Sequence, residues 1–171
     1  SSFGEISDML HSNQVGIGLA INPDTELPEW CYKFAELLDQ IIIMSVVPGK
    51  SGQKFIESTH EKTKRIAKDL REHKFEGYIE ADGGVNLENI GACFEDGARA
   101  FVGGSAIIGQ SDVRMIIKEF RNQVLESRRR LLIKKAHDLG GTELVNSWID
   151  LHVVGEKKDK LVQIAKELGF Q

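Results

Sequence analysis

Ser45-Val-Val-Pro-Gly49-Lys-Ser-Gly52-Gln53 directly follows the apolar run Ile41 to Met44, and two further segments repeat its arrangement. Asp82-Gly83-Gly84 follows Tyr78 to Ala81, and Gly103-Gly104-Ser105 follows Ala100 to Val102. A short apolar run ended by turn residues reads as a buried strand. Glycine at such an end lets backbone N–H groups come close to an anion, and a helix starting there adds its positive end. Three such turns suggest a phosphate cradle.

Working outward, short apolar runs alternate with amphipathic stretches from Val15 to about Gly109. This is the pattern of βαβ units, an α/β fold with parallel strands. Val15 to Ile21 reads as a strand ended by Asn22-Pro-Asp-Thr25, after which Trp30, Phe34, Leu37 and Leu38 fall on one helical face. Gln40 to Met44 is the next strand. Phe55, Thr59, Lys62, Ile66 and Leu70 then keep helical spacing, with Glu61 and Arg65 placed as an i,i+4 charge pair. Asn86 is positioned to cap the helix carrying Ile90, Cys93 and Phe94, and Asp96-Gly97 to end it. A further helix is expected from Asp112 to about Arg130, burying Val113, Ile116, Ile117, Phe120 and Val124. Leu131 to Leu139, Glu143 to His152 and Lys158 to Leu168 read as separate helices. The expected division is therefore an α/β segment, 1–130, and a helical extension, 131–171.

Composition narrows the classes of function. The chain has 171 residues, 41% hydrophobic and 28% charged, with a formal net charge of −4. That balance argues against nucleic acid as the partner, and Arg128-Arg129-Arg130 reads as a solvated helix face. Cys31 and Cys93 fit neither zinc spacing nor a disulfide framework, and no apolar run reaches membrane-spanning length. A cytoplasmic location is the expectation, and the lack of an initiator Met suggests that residues precede Ser1.

Four segments in order carry a more specific pattern: Asn22 to Thr25, Met44 to Ile56, Ile79 to Val85 and Val102 to Ile107. Together they resemble the second half of the ribulose-phosphate 3-epimerases, from roughly Ile6 to Arg130. The resemblance implies the C-terminal half of a TIM-type (β/α) barrel, strands five to eight, with an appended helical tail. It also implies an isomerase that interconverts D-ribulose 5-phosphate and D-xylulose 5-phosphate through an enediolate, assisted by a divalent metal ion such as zinc, iron or manganese. Epimerisation beside a carbonyl needs a base on one face, an acid on the other and a cation for the enediolate oxygens.

On that resemblance Asp82 is both catalytic acid/base and metal ligand, although Asp-Gly is also an ordinary turn pair. Gly49, Lys50, Ser51 and Gly52 match the loop that covers the substrate. Gly83, Gly84, Gly104 and Ser105 match the phosphate contacts, and Met44 an apolar residue beside the reacting carbons. Two departures stand out. Lys50 and Ser51 replace an aromatic residue and a glycine, and Val47 an Asn or acidic residue. The family's first half, with two metal-binding histidines and a second catalytic aspartate, has no counterpart here. Asp150-Leu-His152 fits a helix better than a ligand pair, and His11, His60, His73 and His137 read as surface residues without a metal role.

A half-barrel would expose strand edges and inward side chains. The candidates to cover them are a missing N-terminal half-barrel, which is favoured, a second copy of the chain, or the helical tail folding over the sheet, alongside a phosphorylated ketose as substrate. The alternatives are a non-catalytic phosphosugar-binding or oligomerisation module, or an epimerase of a phosphorylated hexulose.

Overall fold

The computed structural model describes residues 3–50 and 52–138, with side chains as far as Lys135. Contacts divide the chain into two units between Val124 and Leu125. The first unit holds four strands, β1 (Gly18–Ile21), β2 (Gln40–Met44), β3 (Tyr78–Asp82) and β4 (Ala100–Val102), which form one parallel sheet in sequential order. Helices α1 (Phe3–Ser12), α2 (Glu29–Lys33), α3 (Ser58–Glu72), α4 (Ile90–Asp96) and α5 (Gly104–Ile108) accompany them.

Strand side chains alternate between faces, and here the two faces have opposite environments. Leu19, Ile21, Ile41, Ile43, Ile79, Ala81 and Phe101 share one face, packed in the hydrophobic core with Ile66, Ala67 and Leu70 of α3 and Ile90 and Cys93 of α4. Burying an Ile or Leu this way contributes about 1.5–3 kcal/mol per side chain. The other face carries Ala20, Gln40, Ile42, Met44, Glu80, Asp82 and Val102, all half-buried or exposed among the described residues. Gln40 Nε2 donates to Glu80 Oε2 across it at 2.7 Å. The sheet is helix-covered on one side and open on the other, the arrangement of part of a barrel wall.

The strands expected at Gln40–Met44 and Ala100–Val102 form with those bounds. The strand expected from Val15 begins only at Gly18, and three further local expectations change. The stretch holding Trp30 and Phe34 is not one helix: α2 ends where Phe34 takes φ −113, and Ala35–Leu37 is a single 3-10 turn. Arg65 pairs with Glu26 instead of Glu61, which bonds Lys64 at 2.9 Å. The last helix, α6, runs unbroken from Val113 to Asp138, past the break expected at Arg130. Arg128 to Arg130 prefers helix and nothing there resembles a stop signal, so continuation is the cheaper path. Within the expected apolar stripe of α6, Phe120 is buried, whereas Val113 is 41% exposed. The helices expected at Glu143 to His152 and Lys158 to Leu168, and the Asp150/His152 pair, lie outside the described residues.

Lys62 of α3 is buried because its ammonium has work elsewhere. Nζ donates to the carbonyls of Asn22, Pro23 and Thr25, anchoring the turn that ends β1. Burial lowers its pKa, opposed by the nearby carboxylates of Glu26 and Asp24.

Candidate functional site

In a parallel α/β sheet the strand carboxyl ends point to one edge, where loops gather ligands. The register aligns Met44, Asp82 and Val102 across three neighbouring strands at that edge. Alternation puts all three side chains on one sheet face, so half-buried Asp82 shares that face with Met44, its register partner on β2.

The turn after β3 has a conformation that only glycine meets cheaply. Gly83 has φ +116 and Gly84 φ +66. A Cβ on Gly83 would sit 2.4 Å from Val46 Cγ2, and one on Gly84 would sit 2.5 Å from the Phe55 nitrogen. Two constraints thus coincide, positive φ and close approach of the neighbouring loop. That loop folds back on itself: Ile56 N donates to Ser45 O at 2.8 Å, and Gln53 Nε2 donates to Val47 O at 2.6 Å and Lys50 O at 2.9 Å. Gly49 and Gly52 also take positive φ, +116 and +74, with open space around them. Lys50 is exposed, and Ser51 lies outside the described residues.

A groove of about 700 Å³ opens beside the turn, lined among others by Gln53, Phe55, His60, Gly84, Asn86 and Ser105. It brings Gln53, Gly84 and Ser105 together, one from each of the three glycine segments. Gly104 begins α5 with no neighbour crowding its α-carbon, while Asp82 and Met44 look onto the open sheet face instead of lining the groove. Asn86 caps the turn leading into α4 one turn early, its Oδ1 accepting from the Glu88 and Asn89 nitrogens at 2.8 and 3.2 Å.

His60 is not the surface residue expected. Its side chain is 17% exposed, its Nδ1 meets Asp96 Oδ2, and its ring lies 4.8 Å from that of Phe55. Burial raises the Asp96 pKa, while His60 and Lys64 pull it down. Sequence reasoning missed this pair because its members stand 36 residues apart. A similar separation, 37 and 38 residues, hid Ser45, a buried hydroxyl that reaches the Asp82-Gly83 turn. The visible signal was a polar residue ending an apolar strand. His11 bonds Asp39 at 2.9 Å, His73 bonds the Asp69 carbonyl at 2.7 Å, and the His137 side chain lies outside the described residues.

Asp82 alone could offer a metal ion one carboxylate. Among the described residues no group of three or more His, Cys, Asp or Glu side chains gathers to hold one. The donor set present does not by itself fit a divalent ion, which needs more ligands than one side chain supplies. No helix among the described residues is long and apolar enough to cross a membrane.

Comparison with known proteins matches the same elements. A family model described as the ribulose-phosphate 3 epimerase family matches residues 4–108, from α1 to the end of α5. The ribulose-phosphate 3-epimerase of Escherichia coli strain K12 is 39% identical over 116 residues, 68% of this chain and 51% of that protein. The one of Bacillus subtilis strain 168 is 39% identical over 114 residues, 66% of this chain and 52% of that protein. That of Serratia marcescens is 41% identical over 97 residues, 57% and 46% respectively. The chain spans about half the length of the curated relatives it matches. With every strand of the sheet and every glycine turn inside the matched stretch, this chain belongs to the ribulose-phosphate 3-epimerase family.

Proposed function

We propose that this chain supplies the phosphate-holding half, and one of two acid/base groups, of an epimerase that interconverts D-ribulose 5-phosphate and D-xylulose 5-phosphate. The observation that carries the reading is the register: Asp82 stands between Met44 and Val102 at the carboxyl edge, directly before the Gly83-Gly84 turn.

In this reading the phosphate is held by backbone N–H groups at Gly83, Gly84, Gly104 and Ser105, with Gly49, Lys50, Ser51 and Gly52 covering it. Such groups suit a dianion because their dipoles are fixed before it arrives. With the phosphate anchored, the carbon beside the ketose carbonyl lies over the open sheet face. The Asp82 carboxylate takes that carbon's proton; the C–H electron pair becomes the C=C bond of the enediolate, and the carbonyl oxygen takes up the charge. A proton delivered to the opposite face then gives the epimer. Met44 packs against the planar intermediate and keeps water away.

The opposing acid and the groups that balance the enediolate charge come from outside the described residues. A divalent ion, when bound, would supply that charge balance as a Lewis acid, with Asp82 as one ligand and the others from a complementary half-barrel. The second sheet face and the edge strands β1 and β4, each paired on one side only among the described residues, favour such a partner, either an N-terminal half or a second copy. Residues 1–130 then form the barrel half and 131–171 an extension, and the working location is the cytoplasm.

The test is an epimerase assay with added manganese, iron or zinc on the full chain, alone and mixed with a separately produced N-terminal half of a relative. Activity should appear with the mixture and fall about 10²–10⁴-fold in Asp82→Asn. Equal activity of the Asp82→Asn mixture would overturn the acid/base role. A silent mixture that still binds the sugar phosphate would favour a non-catalytic binding module.

A further inference from the structure

We propose that Ser45 and Asn89 are positioning residues for Asp82, holding the Asp82-Gly83-Gly84 turn by its carbonyls; the inference deepens the role given to Asp82 above and rests on that reading. The ladder between β2 and β3 ends where Ser45 N donates to Asp82 O at 2.7 Å. Beyond that point the left-handed Gly83 swings the chain out of the sheet, and its carbonyl loses any ladder partner.

Ser45 meets this break. It is 1% exposed, and its hydroxyl reaches two successive carbonyls, Gly83 O at 2.7 Å and Asp82 O at 3.0 Å. A buried hydroxyl is costly unless bonded, and among the described residues this one is bonded to the turn. Its own carbonyl accepts from Ile56 N at 2.8 Å, so the same residue closes the preceding glycine loop. From the other side Asn89 Nδ2 donates to Gly84 O at 3.1 Å, while Asn89 Oδ1 accepts from Asn86 N at 2.8 Å.

Three consecutive carbonyls are thus held from two sides, by Ser45 just after β2 and by Asn89 just before α4, with Asn86 Nδ2 a longer contact to Gly84 O at 3.5 Å. In a planar trans peptide the N–H points opposite to the C=O. Fixing the carbonyls of Asp82, Gly83 and Gly84 therefore fixes the N–H directions of Gly83, Gly84 and Val85, turned away from the two anchors. It also fixes the Asp82 backbone from which the carboxylate projects. A shift of this turn by a fraction of an ångström would move the proton acceptor and the anion donors together.

The experiment uses the full chain, labelled with ¹⁵N, without and with inorganic phosphate. In Ser45→Ala and in Asn89→Asp, which keeps the acceptor and loses the donor, the Gly83 and Gly84 amide signals should shift or broaden. Those of Ile66 and Leu70 in α3 should stay in place. Ser45→Thr, which retains the hydroxyl, should restore the wild-type signals, and phosphate affinity should fall at least about fivefold in the first two variants and recover in the third. Gly83 and Gly84 signals unmoved in both Ser45→Ala and Asn89→Asp would overturn the proposal. Should Ser45→Ala fail to fold, Asn89→Asp decides alone. Absence of any phosphate response in the wild type would sink the phosphate reading, while the amide signals would still decide the anchoring.

Discussion

Replacing Gly83 by alanine demands two things of the turn at once: an L-residue at φ +116, and room for a methyl 2.4 Å from Val46. Gly49 has the same φ with open space around it. The pair separates the two costs. Gly49→Ala should lose about 1 kcal/mol and Gly83→Ala about 2–3 kcal/mol, measured by urea unfolding. Equal losses would mean that Val46 moves aside at no cost. The glycines were legible in the sequence because a residue that alone tolerates positive φ announces a turn after a strand. Ser45, His60 and Asp96 were not, since their roles depend on partners more than thirty residues away and a polar residue carries no mark of its distant bond.

Elements are tied together by a few directed polar contacts, and one of them sets a pH dependence. Asp39, just before β2, accepts from Ile17 N at 2.7 Å and from His11 Nε2 at 2.9 Å. The Ile17 amide first, then His11, hold its carboxyl below its ordinary value of 3.8. A depressed acid stabilises the fold above its unfolded pKa and loses that contribution as pH falls through the folded value. Asp39→Asn should therefore lower the urea midpoint at pH 7, with the gap from wild type closing in titrations carried below pH about 3.8. A gap independent of pH would mean that the contact is insensitive to charge. At this scale β2, β3 and β4 could be read closely, because three to five residues alternating between a core and a second face leave little latitude, whereas the apolar run before β1 was longer than the strand itself. The short α2 and the unbroken α6 could not, because helix ends turn on local geometry that spacing does not encode.

The whole sheet is asymmetric, and adjacent isoleucines in β2 report it. Ile43 is 1% exposed on the helix-covered face, whereas Ile42 is half-buried on the face that carries Asp82. Ile43→Ala should cost about 2–4 kcal/mol and Ile42→Ala under about 1 kcal/mol in this chain, with the second cost rising once a complementary half is added. Equal costs in the isolated chain would show that something already covers the second face. That the chain resembles half of a barrel was legible because its motifs fall in one unbroken order; what completes the other half does not show in that order.

The strand order also bears on how the chain acquires its structure. Each strand pairs only with its neighbour in sequence, so every ladder closes across roughly twenty to forty residues. Each βα unit can dock on the one before it as it leaves the ribosome. Such growth by accretion lets the four strands reach their register one neighbour at a time, each new strand templated by the one already formed.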